Sequence, residues 1–437
     1  GDYTASGKVH LLYGGRTCGY VDLDFLQADF PQWTFEAEWQ PPEERGLGEP
    51  VFQEPADYDA LLPAILARPN MAAKNWIARQ YDHEVQGTSV LKPLVGRQRD
   101  IPADAAVLRP FLPSLKGLAF TQALQPTYSA IDTYAMVAAT IDEAVRRLVV
   151  VGGDLEQIGG VDNFCWPSVQ YDARENPDGK YKAAQLVRAN WALRELCLHF
   201  RIPLLSGKDS MYVDGYIPGP FGERHRISGL PTFQFSATTI VEDLERCVSP
   251  DLKMAGDLLY LLPDLKMAGD LLYLLGETRD ELGGSEYYEL MGYLGLQVPR
   301  FKGEREMAHY RALQEAITAG LVAAAHGVYR GGLGVHLSLM ALAGDLGLEA
   351  DLSRVPGAKD LRRDKVLFSE SLGRVLLAVD PRNRREFEKV MGGNVCTRIG
   401  RVLKGPRVVI KDNGRPLAAV RLKDLRTAFH RPFGGLV

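Results

Sequence analysis

The sequence has few cysteines, no long apolar run and no block of basic residues. Its five cysteines are scattered and form no CxxC pair, which argues against a disulfide framework or a zinc site and fits a reducing, cytoplasmic setting. No run of 18 apolar residues and no signal peptide are present, so no membrane association is expected. The formal net charge of −4 argues against a general nucleic-acid binder.

The composition is that of a globular protein. With 437 residues, 46% of them hydrophobic and 24% charged, the chain is long enough for two domains with cores of their own.

The most informative stretch runs from Ile131 to Tyr212 and begins with a helix. In AMVAATIDEAVRRLVVVG, apolar residues recur at helical spacing from Met136 to Leu148 and leave Asp142, Glu143, Arg146 and Arg147 for other faces. Gly152 and Gly153 predict its end.

Two polar segments follow, each after an apolar run. Asp162 and Asn163 end one such run, where open α/β sheets place polar site residues. Ile202–Leu205 predicts a buried strand that leads into a turn, Ser206–Ser210. Lys208 and Ser210 on a glycine-hinged turn suit phosphate, and Asp209 suits Mg²⁺. Gly, Asp and Ser are also ordinary turn formers, so the turn alone leaves both interpretations open.

These segments belong to a longer series of blocks whose order resembles formylglycinamidine ribonucleotide synthetase, an ATP-dependent, amidine-forming enzyme of purine biosynthesis. The blocks are RQYDHEVQGTSVLKPLVG, DAAVLRP, IDTYAMVAATIDEAVRRLVVVG, DNFCWPS, LLSGKDSMY, GETRDELGGSEYY, RGGLGVHLSLMALAG and LFSESLGRVLL. They cover nearly the whole chain.

The resemblance implies an α/β (α+β) fold, the AIR synthetase-like module of an ATPase-like A domain followed by a B domain. Residues 76–250 correspond to A and 251–437 to B, while residues 1–75 resemble the tail of a preceding B domain and a linker, including the Pro/Glu-rich WQPPEERGLGEPVFQEP. The family duplicates this module, and the chain looks like the second copy alone. The first copy, with a catalytic histidine pair and the main ATP site, has no counterpart here.

One feature has no functional interpretation. PDLKMAGDLLYLL occurs at 250–262 and again at 263–275. Because the repeat length is odd, the two copies cannot share one strand alternation. We expect one copy to hold the strand and the other to loop out.

The resemblance also implies roles for single residues. His83 is the catalytic candidate, although its polar surroundings also suit a surface histidine. Nucleotide or substrate contacts are implied for one set and Mg²⁺ ligation for another. The first set is Asp162, Cys165, Gly207, Lys208, Ser210, Gly331 and Gly332; the second is Glu143, Asn163 and Asp209. Cys165 also suits a plain buried thiol.

Two departures from the family predict a degenerate second nucleotide site. Arg147 stands where relatives carry an asparagine ligand, and arginine cannot bind a cation. In HGVYRGGLG, Gly327–Arg330 replace an Asp-x-Ser-Asp sequence that supplies metal-binding oxygens. Gly331 and Gly332 still open an amphipathic helix, whose amides suit phosphate.

The implied reaction uses ATP to phosphorylate the amide oxygen of formylglycinamide ribonucleotide; ammonia from a glutamine amidotransferase then displaces phosphate. Implied partners are that enzyme, the missing N-terminal half and a second chain, through the A-domain sheet. Three interpretations compete: a synthetase component, a scaffold whose nucleotide site is structural, and a stand-alone relative such as aminoimidazole ribonucleotide or selenophosphate synthetase. The last predicts a glycine-rich arm with a catalytic Lys or Cys, which the sequence lacks.

Overall fold

The computed structural model describes residues 1–28, 32–80, 83–253 and 269–436. No helix in these ranges is long and apolar enough to cross a membrane. The N-terminal region contains strands β1 (Lys8–Tyr13) and β2 (Arg16–Asp22) and helices α1 (Leu23–Gln27), α2 (Tyr58–Leu66) and α3 (Asn75–Gln80).

A six-stranded sheet with two long helices follows. The elements of this part of the chain are β3 (Ser89–Leu91), β4 (Leu94–Val95), β5 (Ile101–Pro102), β6 (Ala106–Leu108), β7 (Gly117–Leu124), α4 (Thr133–Val150), β8 (Gly159–Cys165), α5 (Gly179–Phe200), β9 (Leu204–Ser210), β10 (Asp214–Pro218), β11 (Arg224–Ser228) and β12 (Thr232–Val241). The strand order is β3-β6-β7-β12-β8-β9.

This sheet buries one face and leaves the other open. Along β12, buried residues such as Phe233 and Phe235 alternate with partly exposed ones, the pattern of a strand with one covered face. The buried side chains pack against α4 and α5. The opposite face carries exposed Phe120, Leu124 and Leu205.

Two expectations in this region need correction. The segment 206–210, expected as a turn, is part of β9, which pairs parallel to β8 at the edge of the sheet. Leu204 and Leu205, expected to be buried, are exposed because nothing described packs beyond this edge strand. Helix α4 begins and ends as predicted, but Asp142, Glu143 and Arg146 are buried because the second half of the chain covers them.

That second half is built on a seven-stranded sheet. It contains β13 (Leu271–Leu275), α6 (Glu286–Leu290), α7 (Glu304–Thr318), β14 (Ala324–Gly327), α8 (Gly332–Gly344), β15 (Gly347–Asp351), α9 (Arg363–Phe368), β16 (Val375–Val379), α10 (Arg384–Val390), β17 (Cys396–Leu403), β18 (Arg407–Asp412), β19 (Arg415–Arg421) and α11 (Leu422–His430). The strand order is β14-β16-β13-β17-β15-β18-β19.

Helix α8 begins at Gly332 as predicted, but it is not amphipathic. Every one of its residues is buried, because it lies between the seven-stranded sheet and helices α2, α9 and α11. A helix that is apolar on all sides is typical of a core position.

The second copy of the repeat supplies a strand. Its Leu271–Leu275 form β13, which pairs with β16 and β17. The corresponding residues of the first copy, 258–262, lie outside the described residues. Of the first copy, Leu252 is buried.

The segment expected as a linker is partly packed. Leu61, Leu62, Ile65 and Leu66 of α2 are buried in the core around α8. Their spacing gives one apolar face on a short helix, which is enough for docking. Helix α2 therefore packs on residues 251–437, and the boundaries at 75 and 250 stay a prediction.

The N-terminal hairpin repeats the architecture of the C-terminal one. Val9 pairs with Val21 as Val408 pairs with Val420, the register shifts after Leu11 as it does after Ile410, and a helix follows directly in both. The surroundings differ, because Ile410 is 1% exposed and Leu11 is 56% exposed. The apolar side of the first hairpin has no described partner.

The two sheets share an interface of buried charges around α4 and α7. Asp142 forms an ion pair with Arg146 at 3.1 Å and accepts a hydrogen bond from Tyr310 of α7. Glu306 of α7 is buried nearby, and burial, reinforced by the charge of Asp142, raises its pKa to about 7.

The raised pKa of Glu306 predicts a pH-dependent stability. A carboxyl whose folded pKa exceeds its unfolded value of 4.5 contributes stability below pH 4.5, and this is lost as the pH rises through about 7. In the Glu306→Gln variant, the free energy of unfolding should lack this decrease, which is on the order of 2–3 kcal/mol between these pH values. Urea unfolding across this range measures it. Glu304→Gln, on the exposed side of α7, is the matched control, and equal pH profiles for both variants would contradict the assignment.

Candidate functional site

Four of the predicted site residues line one face of the six-stranded sheet. Asn163 pairs with Lys208 and Cys165 with Ser210 across the parallel strands β8 and β9. Because paired residues of neighbouring strands share a face, these side chains lie together on the open face. Lys208 Nζ donates to Ser210 Oγ at 2.5 Å. The strip offers one cation, a hydroxyl, an amide and a thiol, groups that suit an anionic, hydrogen-bonding ligand.

Asp162 and Asp209 belong to the other face of the same strands. Gly207 lies opposite Asp162, and a Cβ at this position would lie 2.7 Å from Asp162 Oδ1, so a larger residue would displace the Asp162 carboxylate. Partial burial, with the charge of Asp209 added, raises the pKa of Asp162. The structure therefore brings all these residues into two adjacent strands but divides them between two faces.

Glu143 lies elsewhere, on the wall of a cavity of about 340 Å³ between the two sheets. Its two oxygens accept hydrogen bonds from Gln125 Nε2 at 2.5 Å and from Arg147 Nε at 2.9 Å. Arg147 also lies over the ring of Tyr329, 4.3 Å from its centroid. Arg147 thus binds Glu143 directly, and Tyr329, from the second departure, packs on Arg147.

Asp104 is the centre of a second set of contacts on this wall. Its carboxylate accepts hydrogen bonds from the Gly327 amide at 3.0 Å and the Tyr329 hydroxyl at 2.6 Å, and it lies 2.8 Å from His326 Nδ1. Burial alone would raise the pKa of Asp104, but His326, together with Arg147 and Tyr329, holds it below its usual range. Asp104 is therefore a buried carboxylate.

The contacts of Asp104 continue through His326 to His336. His336 Nε2 lies 3.0 Å from the Arg330 carbonyl, which can only accept, so His336 Nδ1 accepts from His326 Nε2 at 2.9 Å. His326 Nδ1 faces the Asp104 carboxylate, so the ring links Asp104 to His336. Burial and the charge of His326 lower the pKa of His336 well below its usual value, which keeps His336 neutral.

The glycines at the start of α8 face a carboxylate of the chain itself. The Gly331 amide donates to Glu370 Oε1 at 2.8 Å, and Tyr128 donates to Glu370 Oε2 at 2.5 Å. Arg330 binds Glu286 and Gln125 at 3.1 and 2.9 Å. A carboxyl group of the chain, Glu370, thus lies where the sequence predicted phosphate, and burial raises its pKa.

His83 lies apart from both groups. It is half-buried, and its Nε2 is 3.5 Å from Glu84 Oε1, which belongs to a carboxylate also bound by Lys92. None of the other predicted site residues contacts it through a hydrogen bond or ion pair, so a catalytic role stays a prediction.

The predicted Mg²⁺ ligands do not converge. Asn163 and Asp209 lie on opposite faces of the sheet, and Glu143 is saturated by Gln125 and Arg147. Across the described ranges, no group of three His, Cys, Asp or Glu side chains is spaced to hold a metal ion. This donor set therefore does not fit Mg²⁺ within the chain alone.

Comparison with known proteins defines the class. Residues 267–413 match the family model of the AIR synthase related protein, C-terminal domain. The chain also superimposes on Thermotoga maritima PurL complexed with FGAR, with a TM-score of 0.61 and 16% identity, over 86% of this chain and 54% of that one. At this identity the likeness shows the fold alone. The chain has the AIR synthase-like fold, which confirms the predicted fold class.

Closer relatives come from sequence. The chain is 31% identical over 98% of its length to the phosphoribosylformylglycinamidine synthase subunit PurL of Methanocaldococcus jannaschii, covering 53% of it. It is 33% identical over 97% of its length to the same subunit of Moorella thermoacetica, covering 52%. The chain is a homologue of this subunit, which confirms the resemblance, and it spans about half the length of the curated relatives it matches.

The residues around the cavity that sequence reasoning missed are Asp104, His326, His336 and Glu370. Asp104 and Glu370 lie within quoted blocks, DAAVLRP and LFSESLGRVLL, which is the signal that pointed to them. His336 lies within another quoted block, RGGLGVHLSLMALAG. Nothing local marks His326, because its role depends on Asp104, more than 200 residues away in the chain.

The saturated cavity predicts weak nucleotide binding. A ligand raises stability only through its affinity for the folded form, and every carboxylate on this wall already has internal partners. Mg-ATP or Mg-ADP should therefore shift the melting temperature of the isolated chain little. Thermal melting with increasing nucleotide checks this, with nucleotide lacking Mg²⁺ as the control. A saturable shift with micromolar affinity would show that the site binds.

Proposed function

We propose that the chain is part of a phosphoribosylformylglycinamidine synthase, which converts formylglycinamide ribonucleotide, ATP and glutamine-derived ammonia to formylglycinamidine ribonucleotide in the cytoplasm. The observation that carries this is the pairing of DNFCWPS with SGKDSM on the open face of the sheet. The homology to PurL over nearly the whole chain supports it. A purely structural scaffold would not need Lys208 and Ser210 on an open face.

In this proposal the chain supplies one wall of an active site. Lys208 and Ser210 bind anionic oxygens of the substrates, and Asn163 and Cys165 add an amide and a thiol beside them. The cation at Lys208 stabilises negative charge on the phosphoryl group during transfer. Mg²⁺ would neutralise further charge, but its ligands have to include groups outside this chain.

The N-terminal hairpin supports a preceding B-like domain. Its C-terminal counterpart buries Ile410 against a sheet through the parallel pairing of β18 with β15. By analogy, β1 pairs with the edge strand of a sheet in a preceding module, and that sheet covers Leu11. The analogy supports the proposal that residues 1–75 are the end of that module and the connection to the present one.

Turnover tests the proposal. Phosphate release with ammonia as nitrogen donor is measured for the chain alone and together with the part of a PurL relative that it does not match. We expect no activity alone and activity in the mixture, because the catalytic histidine pair implied by the resemblance is absent from this chain. Robust activity of the 437 residues alone would contradict the proposal, as would an inactive mixture in which both parts are folded and bound to each other.

The open face also predicts self-association of the isolated chain. Phe120, Leu124 and Leu205 are 41%, 45% and 62% exposed on one sheet face, and exposed apolar patches mark interaction surfaces. Light scattering should show a concentration-dependent dimer, which Leu205→Glu weakens. Val51→Glu, at an exposed apolar residue far from the sheet in sequence, is the control. A monomer at high concentration would contradict this.

A further inference from the structure

The outer face of the seven-stranded sheet is only partly covered. Helices α7 and α10 pack over the half that contains β13, with Phe387 4.9 Å from the ring of Tyr273. Helices α8 and α11 pack on the opposite face. No described helix covers the outer face of β17, β15 and β18, so polar side chains of these strands form an open groove.

This groove is basic in an acidic protein. Residues 396–421, which form β17, β18 and β19, carry seven Lys and Arg side chains against one Asp, whereas the whole chain has a net charge of −4. Such a separation of charge creates a local positive potential that attracts anions.

The groove encloses a cavity of about 400 Å³, the size of a small-ligand site. Its charged lining consists of Arg354, Arg398, Arg401, Lys411, Glu349 and Asp351. Cations therefore outnumber carboxylates two to one.

Both carboxylates are already satisfied. Glu349 accepts from Arg401 at 2.8 Å and from Lys411 at 2.6 Å. Asp351 accepts backbone amides of Ser353, Asn413 and Gly414 at 2.7–3.1 Å. Glu349 is thus neutralised by two cations, whereas Asp351 keeps its negative charge but is held in place by amides.

Two guanidinium groups in the lining make no direct polar contact, although the charge of Arg398 acts on Glu388 and Tyr273. Within the described part of the chain, neither Arg354 nor Arg398 makes a hydrogen bond or an ion pair. Arg398 is half-buried and Arg354 exposed. Gly400 and Gly414 also line the cavity, and the absence of side chains there leaves the cavity floor accessible.

We propose that this groove binds a small molecule that carries two or more phosphate charges, held by Arg354 and Arg398. Guanidinium groups bind phosphate oxygens through pairs of charge-assisted hydrogen bonds. The groove lies on a different sheet from Asn163 and Lys208, so the ligand is an effector or second substrate rather than the group bound on the open A-domain face. The inference does not depend on the proposed synthase activity.

Calorimetric titration with inorganic pyrophosphate, without divalent metal and at low salt, tests the proposal. We expect saturable binding with one site per chain that weakens as salt rises. The double variant Arg354→Ala/Arg398→Ala should lose affinity by about tenfold or more, since each substitution removes charge-assisted hydrogen bonds. The variant Arg354→Lys/Arg398→Lys should recover part of the loss, because it restores charge without the paired geometry.

Arg194→Ala is the matched control, because Arg194 is an exposed arginine of α5 outside the groove. It should bind pyrophosphate like the unmodified chain, and unchanged melting temperatures would show that all variants are folded. Equal affinity of the double alanine variant, or no saturable heat with the unmodified chain, would overturn the proposal. So would binding that strengthens with polyphosphate length and is equally weakened by Arg194→Ala, since that would indicate diffuse charge attraction.

Discussion

Replacing Asp104 by alanine is expected to lower the free energy of unfolding by about 3–5 kcal/mol, the usual effect of breaking a buried ion pair. The substitution leaves His326 without its counter-charge and the Tyr329 hydroxyl and Gly327 amide without their acceptor. Each buried donor left unpaired costs about 1–3 kcal/mol. Because Asp104 precedes β6 and His326 lies in β14, the loss falls on the interface between the two sheets.

Urea unfolding at neutral pH measures this effect. Asp424→Ala is the control, since Asp424 forms an ion pair with Arg421 on the exposed surface of α11 and surface pairs of this kind contribute little. Equal midpoints for the two variants would show that the Asp104 contacts do not stabilise the fold.

In a synthase reconstituted with the missing part, Asn163→Ala and Asp162→Ala are each expected to lower kcat/KM on the order of 10²-fold. Loss of one positioned polar group in a closed active site has an effect of this size. The two substitutions test different faces of β8, because Asn163 lies with Lys208 on the open face and Asp162 lies beside Gly207 on the other.

Gln234→Ala is the matched control for this pair. Gln234 pairs with Asn163 across β12 and β8, and its side chain donates to Gln122 at 2.8 Å, but it is not among the predicted ligand contacts. Steady-state phosphate release should be nearly unchanged in this variant. Unchanged rates for both Asn163→Ala and Asp162→Ala would remove these residues from the site.

Local sequence patterns predicted the helices whose limits are set by neighbouring residues. Helix α4 begins and ends as its periodicity and Gly152 indicated, and α8 begins at Gly332. The exposure of these elements was predicted less well. Charged residues on α4 indicate a solvated face when only the helix is considered, but α7 and Tyr329 cover that face and supply partners for the charges.

The conformation of β9 was also predicted incorrectly, because it depends on a partner strand that is distant in sequence. Ser206–Ser210 has turn-forming composition, and nothing local indicates that β8 provides a parallel partner. Pairing with β8 decides the conformation, because the ladder satisfies backbone groups that a turn would leave to solvent. The prediction that these residues lie near Asp162 and Asn163 does not depend on this error, since both segments end up in adjacent strands.

Arg147 was interpreted from sequence as the loss of a metal ligand, and its contacts give it a positive role. Its guanidinium binds Glu143 and lies over Tyr329, which binds Asp104. A fixed cation thereby neutralises a carboxylate that would otherwise be buried without a counter-charge. The two sheets are joined here by these side chains and by the hydrogen bond from the Gly327 amide to Asp104.

The matching hairpins have a consequence for folding. Strands β18 and β19 and helix α11 dock on β15 and α8 through apolar side chains. Residues 8–27 carry apolar side chains at the same spacing, so two segments of one chain suit the same surface. Polar contacts distinguish the two segments. Lys411 of β18 binds Glu349, whereas the matching position of the N-terminal hairpin holds Leu12. Asp59 also accepts a hydrogen bond from the Ala419 amide of β19. We therefore expect the N-terminal hairpin to compete during refolding for the surface formed by β15 and α8, which would add slow phases and permit strand exchange between molecules.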